Sequence, residues 1–217
     1  MEYIFGLLLI FVPLKSDKPL EAKNILFIIA HKGFNDTEYR LPRAIFERLG
    51  AKVIVGSSDT TIAEGMFDLK VKPDTLLSQI QKVDFDAVIF VGGTGAMGYW
   101  DDTLAHSVAM QALKQNKIIG AICVAPIILA RAGVLRWKEA TVWASDKTKH
   151  ILKQEKVKYI EKPVVTSDKI VTADGPIAAK EFAEEIVRLL LEEVQPQPRQ
   201  GGEENESSHP KSKKGNM

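Results

Sequence analysis

Runs of mainly apolar residues alternate with amphipathic stretches along the middle of the chain. Four runs have the length and apolar character of strands buried on both faces, and they lie at 24–30, 51–56, 87–91 and 117–122. Apolar positions at helical spacing occupy 36–49, 101–115, 124–132 and 177–191. Further short strands are predicted at 67–71, 141–143, 164–166 and 170–172. This alternation predicts a doubly wound α/β domain, in which helices cover both faces of a mostly parallel sheet.

The same periodicity predicts which face of two helices is buried. In the helix at 101–115, the inward residues are Leu104, Val108, Ala112 and Leu113. In the last helix they are Phe182, Ile186, Leu189 and Leu190.

Both ends of the chain differ in composition from the middle. Residues 3–12 are ten apolar residues, whereas a membrane-spanning helix needs about 20. An export signal is disfavoured because no Lys or Arg precedes this run and no small-residue cleavage site follows it. An incidental extension is therefore preferred over an export signal or a weak anchor. Residues 195–217 are polar and lack periodicity, which predicts a disordered tail. The expected domain is 22–194, after an apolar leader or extension at 1–21.

Composition excludes several classes of function. The 217 residues include 29 Lys and Arg against 28 Asp and Glu, so no basic field favours nucleic acid. The single cysteine excludes an internal disulfide, and the four histidines lack ligand-like spacing, so no metal is expected. No stable membrane span is expected, and the predicted location is cytoplasmic. Export or weak membrane association through residues 3–12 is the alternative.

Cys123 lies where a buried strand runs directly into a helix. The small residues Ala121 and Ala125 flank it, and a tight strand–turn–helix around a nucleophile requires small neighbours. The N–H groups and dipole of the following helix favour a thiolate. The pattern therefore predicts a reactive thiol in a nucleophile elbow, and a buried structural cysteine is the alternative.

Two other loops follow strands that should end beside Cys123. After the strand at 87–91, the backbone N–H groups of Gly92 and Gly93 are candidates for an oxyanion hole together with the N–H of Val124. A simple tight turn is the alternative. Glu38 lies in the first turn of the first helix, where the pattern alone predicts an ordinary helix-start carboxylate.

Six segments in order resemble the ThiJ/PfpI family, the protein deglycase and intracellular peptidase superfamily. They are FNDTEYRLP at 34–42, VIFVGG at 88–93, YWDD at 99–102, AICVAP at 121–126, LARAGVL at 129–135 and TADGP at 172–176. The resemblance covers about 23–192. It implies a flavodoxin-like, class I glutamine amidotransferase-like fold, no cofactor, and a homo-oligomer, either a dimer or larger.

The resemblance also implies site residues. Cys123 would be the reactive cysteine and Glu38 its proton-sharing partner, with oxyanion N–H groups from Gly93 and Val124. The implied substrate pocket consists of Gly92, Trp100, Trp143, Gly175 and Pro176.

One departure from the family pattern bears on the chemistry. Peptidase-type members have a histidine directly after the cysteine, where this chain has Val124, and other members take one from the segment that here holds Trp143. His31 and His106 are the auxiliary candidates. The missing histidine disfavours a cysteine peptidase or amidase, because a Cys–His dyad is the usual way to activate sulfur for peptide cleavage.

The leading functional hypothesis is a cofactor-independent lyase or hydrolase acting on reactive carbonyls. It would resemble a glyoxalase III or a deglycase and take a small carbonyl compound or a glycated adduct as substrate. A peptidase or amidase is one alternative. A non-enzymatic, redox-responsive stress protein is the other.

Overall fold

The computed structural model describes residues 18–193. The apolar run at 3–12 within the predicted leader, and the predicted tail at 195–217, lie outside this range. The strands are β1 Asn24–Ile28, β2 Lys32–Phe34, β3 Lys52–Ser57, β4 Ala63–Gly65, β5 Lys70–Val71, β6 Thr75–Leu76, β7 Ala87–Phe90, β8 Ile118–Ile122, β9 Glu139–Ala140, β10 Lys158–Tyr159, β11 Val164–Ser167 and β12 Ile170–Ala173. The α-helices are α1 Asp36–Arg48, α2 Thr103–Lys114, α3 Pro126–Arg131, α4 Asp146–Gln154 and α5 Ala179–Glu192. Three 3-10 helices occupy Leu77–Lys82, Thr94–Tyr99 and Pro176–Ala178.

Seven strands form the central sheet in the order β11-β12-β8-β7-β1-β3-β6. All neighbours are parallel except the edge pair β11 and β12, which is antiparallel. Helices α1 and α5 pack together on the sheet, whereas α2 packs on β7 and β8 and contacts α3. The predicted doubly wound, mostly parallel α/β fold is therefore confirmed.

The core lies along the central strands, as their composition predicts. The described side chains of β7 and β8 are all buried, and Ile25 to Ile28 of β1 are buried beside them. The predicted inner face of α5 is confirmed, since all four of its named residues are buried. Carboxyl ends of parallel strands face one edge of the sheet, so the loops after β1, β7, β8 and β12 share that edge.

Three details of the predicted elements were wrong. In α2 the buried residues are Ala105, Val108, Ala109 and Ala112, while Leu104 and Leu113 are exposed, because the helix packs through small side chains. The segment at 141–143 is not a strand but continues from β9 towards Cys123. Helix α3 begins only at Pro126, since 123–125 form a turn.

The start of the described chain packs on the body. Leu20 is fully buried, and its N–H donates to the carbonyl oxygen of Leu49 at 2.9 Å. The packed structure thus includes a residue before the predicted boundary at 22. No helix within 18–193 has the length and apolar character needed to cross a membrane.

Candidate active site

Cys123 forms a strained turn between β8 and α3. Its φ is +64°, a left-handed conformation that is uncommon for a residue with a side chain and often marks a functional site. Its N–H donates to the carbonyl oxygen of Ala173 at 2.9 Å, and its own carbonyl oxygen accepts from the N–H of Trp143 at 2.8 Å. These two hydrogen bonds hold the elbow between β12 and the segment after β9. The residue is only 8% exposed.

Glu38 reaches the same point from α1. Asn35 caps this helix, because its side-chain oxygen accepts from the N–H groups of Thr37 and Glu38 at 3.0 and 3.2 Å. The N–H of Asn35 donates to the carbonyl oxygen of Gly92 at 2.9 Å. In return, the N–H of Gly92 donates to Oε2 of Glu38 at 3.0 Å. The two loops after β1 and β7 are thereby tied together, with the carboxyl group fully buried between them.

The absence of side chains at Gly92 and Gly93 lets these loops meet the elbow. A Cβ on Gly92 would lie 2.5 Å from both the Cβ of Cys123 and Oε2 of Glu38. Gly93 has φ +100°, and a Cβ there would lie 2.5 Å from the backbone nitrogen of Asn35. Larger residues would separate the carboxyl group from the thiol.

Burial dominates the electrostatics of this pair. It raises the pKa of Glu38 to about 7, although the Cys123 thiol and the Gly92 N–H partly offset the rise. Burial, together with the Glu38 carboxylate, also raises the pKa of the Cys123 thiol, against the opposing effect of the N–H groups of Gly93 and Val124. Oε1 of Glu38 is buried and forms no hydrogen bond of normal geometry within the described residues. The Cys123 thiol is the side chain that interacts with the Glu38 carboxyl group, so it is the group placed to exchange a proton with it.

The sequence suggested that the helix after Cys123 makes the thiol acidic. This expectation is wrong while Glu38 is ionised, because burial and the carboxylate raise the pKa of the thiol. Helix α3 is only six residues long and begins with a proline, which has no N–H. The negative carboxylate opposes a second negative charge on the sulfur, so the thiol proton leaves as Glu38 accepts it. The N–H groups of Gly93 and Val124 nevertheless face the sulfur and favour its ionised form, whereas their role as oxyanion donors stays a prediction.

The residues named for the substrate pocket occupy three different places. Trp143, Gly175 and Pro176 line one cleft beside the elbow. Trp100 is instead buried, and its Nε1–H donates to the carbonyl oxygen of Val124 at 3.0 Å, so it supports the elbow from behind. Gly92 lies within the Cys–Glu contact itself.

Neither auxiliary histidine contacts the pair through a hydrogen bond. His106 is bound through Nε2 to the carbonyl oxygen of Trp100 at 2.8 Å. His31 lies near Thr61, with 3.4 Å between Nε2 and Oγ1, and its Nδ1 is buried without a partner in the described residues. The elbow is thus assembled without an imidazole in hydrogen-bonding contact.

Two residues that the sequence reasoning missed build the site. Asn35 orients Glu38 and binds the Gly92 loop, and Ala173 fixes the N–H of Cys123. Asn35 lies three residues before Glu38, which is the spacing of a helix N-cap and could have revealed its role. Ala173 contributes through its backbone carbonyl oxygen, so its residue type could not have revealed this role. Within 18–193, no three His, Cys, Asp or Glu side chains are grouped to hold a metal ion.

Known proteins share this architecture. The sequence profile of the DJ-1/PfpI family matches residues 23–189. An uncharacterized protein of Methanocaldococcus jannaschii is 33% identical over 81% of this chain and 87% of its own length. The crystal structure of a ThiJ/PfpI domain protein from Brachyspira murdochii is 34% identical, with a TM-score of 0.74 over 77% of this chain and 95% of that one.

Some relatives carry enzyme names. The glutathione-independent glyoxalase DJR-1.2 of Caenorhabditis elegans is 27% identical over 77% of this chain and 89% of its own. Deglycases of three Pyrococcus species are 26–27% identical over 76% of this chain and 98% of theirs. The resemblance seen in the six sequence segments is confirmed, and the chain belongs to the DJ-1/PfpI family.

Proposed function

We propose that this protein converts small 2-oxoaldehydes, such as methylglyoxal, into 2-hydroxy acids through the Cys123–Glu38 pair. The single observation that carries the proposal is the buried Glu38 carboxyl group, held against the thiol with a pKa raised to about 7. A group whose pKa lies near the working pH is best suited to accept and return protons. The names of the glyoxalase and deglycase relatives support the same class of chemistry.

The first step joins the sulfur to the aldehyde. Sγ of Cys123 forms a bond to the aldehyde carbon, while the thiol proton passes to Glu38 and the carbonyl electron pair moves onto oxygen. The N–H groups of Gly93 and Val124 face the sulfur and stabilise the developing oxyanion. Protonation of that oxygen by Glu38 gives a hemithioacetal.

The second stage moves a hydrogen between neighbouring carbons. Glu38 removes the proton from the hemithioacetal carbon, which leaves an enediolate, and then delivers that proton to the adjacent carbon while the hydroxyl proton of the hemithioacetal moves to the neighbouring oxygen. The result is a thioester of the 2-hydroxy acid on Cys123, which water hydrolyses to restore the thiol. One carbon is oxidised and its neighbour reduced, so the overall reaction adds one water and needs no external oxidant.

Deglycation is a close variant of this reaction. Its substrate would be an amine or thiol already modified by a glyoxal, and the leaving amine or thiol would depart before the same proton transfers. The two variants are distinguished by whether free methylglyoxal or a preformed adduct is consumed faster at equal carbonyl concentration.

The peptidase alternative lacks the histidine that usually activates the sulfur and protonates the leaving amine. Val124 and Trp143 stand where the family pattern implies a histidine, and the ring nitrogens of His31 and His106 contact Thr61 and Trp100 and not the pair. General acid help is worth roughly 10²–10⁴-fold, so we expect negligible cleavage of unstrained peptides. Robust hydrolysis that disappears in Cys123→Ser would contradict this expectation.

The redox alternative uses the same contacts. A sulfinic acid on Cys123 would meet the Glu38 carboxyl group and the N–H groups of Gly93 and Val124. Peroxide titration followed by intact-mass measurement, alongside methylglyoxal turnover, separates the two roles. Oxidation at low peroxide without any turnover would favour the sensor.

The direct test measures methylglyoxal consumption and 2-hydroxy acid formation by NMR. We expect turnover by the wild-type protein and none by Cys123→Ser. Equal turnover in the two proteins would refute the proposal.

A further inference from the structure

A cleft of about 630 Å³ opens beside Cys123, on the β12 side of the elbow. This volume lies within the usual range of about 300–1,000 Å³ for small-molecule sites. Methylglyoxal has only a single methyl group beyond its two carbonyls and would leave most of the cleft empty.

Two backbone hydrogen bonds of Cys123 join the cleft to the reactive pair. The carbonyl oxygen of Cys123 accepts from Trp143, whose ring lines the cleft. The N–H of Cys123 donates to Ala173, and the next residue, Asp174, also lines the cleft. Cys123 does not itself line the cleft, but its backbone is bonded to Trp143 on one side and to the residue before Asp174 on the other, so the cleft adjoins the elbow.

Apolar side chains dominate the walls, although the cleft is open to solvent. Trp143 is 52% exposed and Ile177 is 99% exposed, and both line the cleft with Tyr159 and Pro176. Exposed large apolar side chains that cluster around a concave surface indicate a ligand-binding groove. Gly175 brings the backbone close to the indole, since a Cβ there would lie 2.9 Å from Cε3 of Trp143.

The charged groups of the cleft indicate which ligands it would reject. Three carboxylates, from Glu161, Asp174 and Glu181, face one ammonium group, from Lys162. This excess of negative charge disfavours anionic ligands such as 2-oxo acids. A neutral apolar or aromatic group fits both the walls and the charge.

We propose that this cleft is a subsite for an apolar, preferably aromatic, substituent on a neutral 2-oxoaldehyde. The preferred substrates are then aryl or long-chain 2-oxoaldehydes rather than methylglyoxal. The proposal deepens the proposed function, on which it rests, because it assigns that reaction's specificity to Trp143 and Ile177.

The test compares phenylglyoxal with methylglyoxal in the full-length protein. We expect kcat/KM to be about tenfold higher for phenylglyoxal, because a ring buries more apolar surface than a methyl group. Ile177→Ser should lower this preference about threefold. The matched control is Ile62→Ser, which makes the same change at an exposed isoleucine between β3 and β4. Equal kcat/KM for the two substrates, or equal preference in both variants, would overturn the proposal.

Binding of unreactive analogues separates the subsite from the catalytic proposal. 2-Hydroxyacetophenone and hydroxyacetone carry a phenyl and a methyl group on the same neutral skeleton. We expect the phenyl compound to bind about tenfold more tightly and to quench a tryptophan signal that Trp143→Phe removes. If no glyoxal is turned over but this difference appears and falls in Ile177→Ser, the proposed function fails and the subsite stands. If the two analogues bind alike, the subsite is refuted even when methylglyoxal is consumed.

Discussion

At the scale of single residues, the site consists of two buried groups that compete for one negative charge. Glu38 and Cys123 both have raised pKa values because burial removes water from them, and each ionised group opposes the other. Among residues 18–193, the hydrogen bond that compensates the carboxylate from outside the pair comes from the N–H of Gly92. The pair is therefore arranged for moving a proton and not for holding a permanent thiolate.

Replacement of Glu38 by glutamine tests this arrangement. Gln keeps the shape and can still accept from the Gly92 N–H, but it cannot carry a proton. We expect Glu38→Gln to lower kcat/KM for methylglyoxal by about 10²–10⁴-fold, with circular dichroism unchanged. Wild-type turnover in this variant would remove Glu38 from the mechanism.

The raised pKa of Glu38 also has a consequence for stability. The ordinary value is 4.5 and the folded value is about 7, so the unfolded chain ionises first as the pH rises. The stability associated with a protonated Glu38 is complete below about pH 4.5 and is lost as the pH rises through about 7. The loss amounts to about 3 kcal/mol at order-of-magnitude level.

Denaturant unfolding of the wild type and Glu38→Gln from pH 4 to 8 measures this effect. Gln does not titrate, so we expect the variant to gain stability relative to the wild type across that window. A constant difference between the two proteins would show that Glu38 titrates near its ordinary pKa.

The sequence predicted the identities of these residues better than their electrostatics. The small residues beside Cys123 indicated the elbow, and its left-handed φ agrees with them. Alone, Glu38 looked like a common helix-start carboxylate, and only the family resemblance paired it with Cys123. The raised thiol pKa could not be predicted, since it depends on how deeply two segments 85 positions apart in sequence are buried together.

At the scale of elements, three chain segments depend on one glycine. The loop after β1, the loop after β7 and the elbow after β8 meet where Gly92 has no side chain. The mutual hydrogen bonds of Gly92 with Asn35 and Glu38 require that close approach. The geometry of the Cys123–Glu38 pair and the local packing are thus set by the same contact.

Gly92→Ala should disturb that contact directly. Its methyl group would lie 2.5 Å from the Cβ of Cys123 and from Oε2 of Glu38, so one of the segments must move. We expect a loss of turnover of at least about 10²-fold, since displacements of about 1 Å have such effects, and a lowered Tm. Gly98→Ala is the matched control, because a Cβ there meets nothing within 4 Å. Equal turnover and Tm in both variants would refute the packing argument.

Secondary-structure prediction succeeded for strands that are buried on both faces of the sheet. It failed for short elements that are defined by their contacts with other parts of the chain. The wholly apolar run at 87–91 corresponds to β7, because a central strand needs apolar residues on both faces. Helix α4 was missed, although Ser145 and Thr148 form a capping box at its start. Two-residue strands such as β9 and β10 have too few positions to show any periodicity.

At the scale of the whole molecule, the packed body begins before the region that the family resemblance covers. The matched profile begins at 23, whereas Leu20 is already fully buried against the body. Leu20 is a single apolar residue within the mostly polar stretch at 15–21, so composition alone did not assign it to the core. A homo-oligomer stays a prediction, to be checked by light scattering.

Truncation shows how much the residues before 22 contribute. We expect residues 18–193 to fold cooperatively, and residues 22–193 to lose about 2–3 kcal/mol, because they lack the buried Leu20 side chain and its hydrogen bond to Leu49. For a domain of this size the loss corresponds to a Tm about 5–10 °C lower. Leu20→Ala in the full-length chain is the matched control, and it should reproduce most of the decrease, since it removes the side chain while keeping the backbone.

If the fragments 22–193 and 18–193 have the same Tm, Leu20 adds nothing to stability and the domain begins where the sequence predicted. If 18–193 itself fails to fold, one of the two ends contributes to the core, and restoring 1–17 and 194–217 separately identifies which.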